Sequence, residues 1–262
     1  MSFSVIGETG DLARAIDEFN AQYHEDYFAV RTQATSYLTE PLSFLSAHGL
    51  AGPLLAALKS WGAGKRGAPS CKSIDTAAQA LCEPALQGLL KNLENSFQYL
   101  DVIEGRRVVK DGAPFATVAE FDDGLIKALN MLADALLVGN TNVTYPMKAL
   151  LLITGLTPAY DSQVKGGLAI AGVSGINKTR YLLPRVACGD AKKICALPFH
   201  IAHCVAHSRR VLDAAIETSR YPMLRGEYGR LFDVLLFVQR GRTPQTALLN
   251  FTSSIGERWY EN

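Results

Sequence analysis

The chain has 262 residues, 48% hydrophobic and 19% charged, with a formal net charge of +1, which is enough apolar material for a substantial core under an ordinary globular surface. Its longest apolar runs, such as 149–153 and 234–238, are too short to span a bilayer, and the opening MSFSVIGETGDLARAIDEF turns acidic and polar within ten residues, so a secretory leader is not expected and a cytoplasmic location is. Five cysteines (Cys71, Cys82, Cys188, Cys195 and Cys204) lack metal-finger spacing and read as reduced thiols rather than a disulfide framework.

In chain order, an amphipathic helix is predicted over 12–23, with Leu12, Ala15, Ile16 and Phe19 on one face. His24 to Phe28 reads as an acidic and aromatic turn, 34–47 as a helix interrupted near Pro41, 49–52 as a break, and 53–61 as another short helix. The run GAGKRGAPS over 62–70 is the clearest flexible loop. Its Lys65-Arg66 pair can touch phosphate, although a solvated loop is the simpler account, and the P-loop spacing is missing. A long amphipathic stretch over 75–100, bent at Pro84, precedes Glu104 to Gly112, where β-branched residues between glycines predict a hairpin or an extended loop.

Helical periodicity returns over 121–138 and stops at Gly139-Asn140. With the turn that follows and a helix over 148–153, it makes a helix-turn-helix unit at 121–153. A loop of small residues over 171–177 leads to a basic stretch, and helices are predicted over 192–219 (after Pro198), 227–239 and 243–251. There is no internal repeat, low-complexity tract or heptad array, and the predicted class is all-α.

Charge is divided unequally along this order. Residues 1–150 hold 12 basic and 17 acidic groups, net −5, whereas 151–262 hold 14 and 8, net +6. Between Lys165 and Arg210 eight Lys or Arg accompany one acid, Asp190. That asymmetry is the footprint of a face that meets a polyanion, and equally of a solvated basic surface.

One stretch looks chemical rather than architectural: MKALLLITGLTPAYDSQVKGGL, 147–168. Pro158 forbids helix continuation and biases Thr157 towards extended backbone, so Asp161 falls at a helix N-terminus, where backbone N–H groups and the helix dipole favour a charged carboxylate. Capping is the commonest reason for an Asp there, with Ser162 as the competing cap. What sets this one apart is its company. Asp161 is the only acid between Asp134 and Asp190, an interval that holds Lys148, Lys165, Lys178, Arg180 and Arg185.

The phrase TPAYDSQVKGGL resembles the segment of helix-hairpin-helix (HhH-GPD) DNA glycosylases in which a P-x-x-D-[ST]-x-V-x-R run carries the catalytic aspartate. The similarity covers about 35 residues, 136–170. The family hairpin normally reads L-P-G-[VI]-G, whereas this chain has Leu137 to Val143 with one glycine, and it has no four-cysteine cluster for an iron–sulfur centre. The resemblance implies a single two-lobed helical domain over 1–262 with a cleft between the lobes and the catalytic segment at 154–170. It implies a monofunctional glycosylase that needs neither cofactor nor metal, binds double-stranded DNA with modified bases, and has no membrane partner. The chain is also similar to bacterial phage-defence glycosylases that excise α-glucosyl-hydroxymethylcytosine, which implies antiviral defence.

On this reading Asp161 is catalytic, and Tyr160, Asn140, Asn142, Gln163 and Asn177 form the substrate pocket. Lys148, Lys165, Lys178, Arg180, Arg185, Arg209 and Arg210 contact DNA. Lys148 is also a candidate lyase nucleophile. It stands closer to Asp161 in sequence than the family's lysine does, which favours a phosphate contact. His200, His203 and His207 share a helical face beside Cys204, but with no H-E-x-x-H glutamate they read as packing or DNA contacts rather than ligands. Gly172-Val173-Ser174-Gly175 is out of register for a serine hydrolase. The competing functions are a non-catalytic helical nucleic-acid-binding protein and a helical interaction protein.

Overall fold

Apolar spacing and caps together decide where the elements begin and end in the computed structural model, which describes residues 2–176, 181–252 and 258–260. Helix α1 (Thr9–Glu18) turns Leu12, Ala13, Ala15 and Ile16 inward and stops at Phe19, whose backbone is extended. Asn20 restarts the helix by accepting the Gln22 N–H at 2.9 Å, which caps α2 (Ala21–Thr39). The expected turn at 24–28 is therefore helix: His24 and Tyr27 lie on the buried face and Glu25 on the exposed one.

Ser43 and Ser46 form a reciprocal capping box for α3 (Phe44–Ser60). This helix runs straight through Gly49, Gly52 and Pro53, where a break was expected. An internal proline costs about 3 kcal/mol. Against that, Leu50, Leu54, Leu55 and Leu58 are buried, each contributing about 2 kcal/mol, so packing wins. The same logic carries Pro198 inside α9 (Ala191–Thr218), among buried Ile194, Leu197, Phe199 and Ile201.

The helical stretch expected over 75–100 is two helices, α4 (Ile74–Leu81) and α5 (Pro84–Ser96), because Pro84 sits in the first turn of the second rather than bending one. Two strands, β3 (Leu100–Ile103) and β4 (Arg106–Val109), form a hairpin closed by Glu104 and Gly105 at positive φ, so that it begins four residues before the stretch 104–112 in which a hairpin or an extended loop was expected. Helix α6 (Val118–Leu136) packs on α7 (Thr144–Thr154). Between them β5 (Leu137–Val138) pairs with β2 (Ser70–Cys71), tying the exit of the 62–70 loop to the start of the hairpin-like turn.

Two further helices complete the frame: α8 (Ser162–Ile170) and α10 (Tyr228–Gln239), which pack closely on each other. The helix expected over 243–251 does not form. The Gln239 side-chain carbonyl accepts the N–H groups of Leu248 and Leu249, leaving one 3-10 turn (Pro244–Thr246) before strand β6 (Leu249–Thr252). That strand buries Leu249 and Phe251, exposes Asn250 and Thr252, and runs antiparallel to β1 (Ser2–Val5). The molecule is 62% helical, as the all-α reading expects. Among the described residues no helix is long and apolar enough to cross a membrane.

Candidate functional site

Helix α7 ends on Gly155, whose backbone is left-handed (φ 62°), and Pro158 keeps the chain from resuming a helix until Ser162. Asp161, not Ser162, is the N-cap: its Oδ1 accepts the Gln163 N–H at 2.9 Å and the Val164 N–H at 3.1 Å. Its other oxygen, Oδ2, lies 3.6 Å from Nζ of Lys148. Lys148 in turn donates to the Trp61 carbonyl at 2.8 Å, with its ammonium 5.2 Å from the centre of the Tyr145 ring.

Two glycine contacts hold the segment 155–167 against α10. A Cβ at Gly167 would overlap the Leu236 carbonyl, and a Cβ at Gly229 would overlap the Gly155 carbonyl, so in both places helix meets backbone with no side chain between. Gln239 adds a hydrogen bond to the Gly167 carbonyl at 3.0 Å. The carboxylate therefore stands on a rigid base.

Asp161 opens on a cavity of about 440 Å³. Four cations (Lys65, Arg66, Lys148 and Lys165) line it beside that one acid, with Asn142, Gln163, Tyr23 and Phe237 completing much of the wall. Lys165 is itself buried, its ammonium 4.9 Å from the centre of the Tyr181 ring and 5.8 Å from that of Tyr160. Burial pushes its pKa down, and the Asp161 charge opposes that.

Behind this cavity lies a small chamber of about 30 Å³, whose lining includes Asp161, Lys148, Asp233 and Arg230. Asp233 Oδ1 accepts the Ala159 N–H at 2.9 Å, and Oδ2 accepts from Nη1 of Arg230 at 2.6 Å. The Arg230 guanidinium, almost wholly buried, lies about 5 Å from the ring centres of Phe19, Tyr27 and Trp61. Burial raises the Asp233 carboxyl to about 6 despite Arg230, with the nearby Asp161 charge adding to the rise. This pair pins the turn before Asp161. Sequence reasoning missed it, because an Arg and an Asp three apart on an apolar helix read as a local ion pair.

Of the residues expected in the substrate pocket, Asn142 and Gln163 line the cavity. Asn142 accepts the Thr144 N–H, and Gln163 accepts from Arg240. Tyr160 does not line it: it sits at the centre of a tight turn in which the Asp161 N–H donates to the Ala159 carbonyl at 2.9 Å, and its ring is fully buried edge-on to Tyr181. Asn140 donates to the Asn142 carbonyl within the turn and is absent from the cavity wall. Asn177, Lys178 and Arg180 lie outside the described residues.

The expected DNA contacts do not share one face. Lys148 and Lys165 are buried in the cavity wall, so a phosphate on an outer surface is not what Lys148 meets. Arg185 is exposed, donates to Asn130, and borders a separate hollow with Asp123 and Lys127. Arg209 and Arg210 are exposed on α9, Arg209 paired with Asp213, and neither borders the cavity. His200 is buried with Nε2 at 2.9 Å from the Trp259 carbonyl, and His203 pairs with Asp101 at 2.7 Å. Among the described residues no group of three His, Cys, Asp or Glu is placed to hold a metal ion, and the five cysteines are free thiols.

No known family model, no curated protein and no solved structure matches this chain.

Proposed function

We propose that the chain is a monofunctional DNA glycosylase that cleaves the N-glycosidic bond of a base flipped into the cavity beside Asp161. The observation that carries this reading is the division of labour within one carboxylate: Oδ1 is spent on the helix cap, and Oδ2 is the oxygen turned towards Lys148 in the cavity wall. Loss of the base breaks the C1′–N bond, the electron pair leaves with the base, and positive charge grows on the sugar. A fixed anion beside C1′ stabilises that charge more in the transition state than in the ground state. Water then adds its oxygen to C1′ and gives a proton to Asp161, which releases it to solvent, while the departing base anion takes up one proton from solvent, so that the sum is one water consumed and the carboxylate restored.

Extrusion of the base costs a few kcal/mol and requires a pocket that reads its edges, a task suited to Asn142 and Gln163. At about 440 Å³ the cavity falls within the roughly 300–1,000 Å³ range of small-molecule sites, which leaves room for a base carrying a substituent such as the glucosyl group of α-glucosyl-hydroxymethylcytosine. In this reading the cavity is the cleft between two lobes, and phage DNA is the target.

The test is mass spectrometry of free bases released from normal and modified duplex DNAs. Wild-type protein is expected to release one base class, and Asp161→Asn none, while still binding DNA. Base release undiminished in that variant sinks the assignment, and binding without release from any DNA leaves a non-catalytic nucleic-acid-binding protein. A second chemistry is favoured by one observation, the Lys148 ammonium standing 3.6 Å from Asp161 in the cavity wall. As a lyase nucleophile, Lys148 would form a Schiff base with the abasic sugar, which borohydride reduction traps as a covalent protein–DNA adduct.

A further inference from the structure

The cavity has a rim that the reaction does not use. Residues 62–68 leave α3 and fold back over α7, and Lys65, Arg66, Gly67 and Ala68 all border the cavity that holds Asp161. The loop is built rather than loose. The Gly64 N–H reaches the Pro69 carbonyl at 2.8 Å, the Ala63 N–H reaches that of Leu58 at 2.9 Å, and the Ala68 N–H reaches that of Lys65 at 2.9 Å. Gly62 has φ 106°, and a Cβ there would lie 3.1 Å from the Tyr145 hydroxyl, so glycine lets the chain turn while resting on α7.

Both ends of the loop are tied to the candidate site. Trp61, at its start, presents the carbonyl that holds Lys148, and Ser70, at its exit, pairs with Val138 just before the hairpin-like turn. Between these anchors four donor groups have no protein acceptor among the described residues. The Lys65 and Arg66 side chains are exposed and have no carboxylate within ion-pair distance among the described residues. The backbone N–H groups of Arg66 and Gly67, also exposed, donate to no acceptor among the described residues. Two solvated cations beside successive unbonded amides on a glycine-bent loop form a site suited to an oxyanion.

We infer that the 62–68 loop is a phosphate clamp, in which the Lys65 and Arg66 side chains and the Arg66 and Gly67 amides grip a backbone phosphodiester next to the nucleotide in the cavity. This inference rests on the proposed nucleic-acid function and deepens it: the substrate is a nucleoside within a polynucleotide, not a free nucleoside. Phosphate grip and catalytic carboxylate then border one cavity, linked through the Trp61 carbonyl and Lys148.

The experiment is a salt titration of binding to a fluorescein-labelled duplex, followed by anisotropy, for wild type, Lys65→Ala/Arg66→Ala, Arg209→Ala/Arg210→Ala and Asp161→Asn. Each phosphate neutralised contributes about 0.9 to the slope of log affinity against log salt. The loop variant is expected to lose about 1 from that slope and to raise Kd about tenfold at 0.1 M salt, with an unchanged melting temperature because both side chains are solvated. A loop variant that keeps the wild-type slope overturns the inference, whatever the α9 variant does. Should Ala at both positions impair folding, Lys65→Gln/Arg66→Gln is read in the same way. Asp161→Asn keeps the wild-type slope if the clamp is correct. Failure of base release with an intact loop-dependent slope removes the glycosylase reading and leaves the clamp standing.

Discussion

Replacing Asp161 by Asn separates the cap from the charge. Asparagine caps a helix about as well as aspartate, so the two bonds to Gln163 and Val164 persist while the anion facing Lys148 is lost. Base release is expected to fall by at least a hundredfold, about 3 kcal/mol, with a melting temperature within a few degrees of wild type, read by product mass spectrometry and thermal denaturation. Asp233→Ala is the opposite case: it strands the buried Arg230 guanidinium, which should cost about 3–5 kcal/mol, whereas Asp233→Asn keeps an acceptor for Ala159 and should cost less. Urea unfolding separates the two variants, and equal losses would refute the account of the pair. Asp161 was legible because Pro158 and the lone negative charge mark it in one dimension. Tyr160 was misplaced by the same adjacency that drew attention to it, since the tight turn closed between Asp161 and Ala159 leaves its ring in the core. Arg230 and Asp233 were invisible because their partners, Tyr23 and Ala159, are more than seventy residues away.

Between elements, the decisive contact is α8 on α10. Gly167→Ala must push α8 off the Leu236 carbonyl, backbone against backbone, so relief by side-chain rotation is not available. Overpacking of this kind costs about 3 kcal/mol, and because Asp161 caps α8 the carboxylate moves with the helix. The variant is expected to lose both stability and base release, whereas Gly52→Ala, where a Cβ meets nothing within 4 Å, is expected to leave both intact. Paired melting curves and activity assays decide it. Helices 118–136 and 228–239, and the part of 191–218 that follows Pro198, were legible because their apolar periodicity is long. The segments 24–28, 49–53 and 243–251 were not, because their outcome depends on remote partners: Tyr221 stacked on His24, the leucines around Pro53, and β1 beside β6.

Across the whole molecule, stability should fall as the solution is acidified below neutrality. Burial depresses His24 and His200 from the ordinary 6.5 to about 4, so the unfolded chain binds protons that the folded chain refuses, and stability is lost as pH falls from 6.5 to 4. Asp233 acts in the opposite sense: raised to about 6, it contributes stability that is full below 3.8 and lost as pH rises through 6. The Asp122 carboxyl, raised by burial despite Arg107, works in the same sense as Asp233, and the two strongly depressed histidines still leave a net loss. Asp101, held at about 2 by Lys110 and His203 despite its desolvation, extends that loss to lower pH. Melting temperatures between pH 7 and 4.5 test this, with His200→Gln expected to flatten the decline. A melting temperature constant over that range would contradict the assignment of neutral, buried imidazoles.

The pairing of Ser2–Val5 with Leu249–Thr252 has a kinetic consequence. Loop-closure entropy disfavours joining segments so distant along the chain, so this two-stranded ribbon is expected to zip late, after the helices it joins have docked. During synthesis Phe3 waits for Phe251, and until the ribosome has delivered residue 252 the first strand displays an unmatched edge to whatever else is nearby.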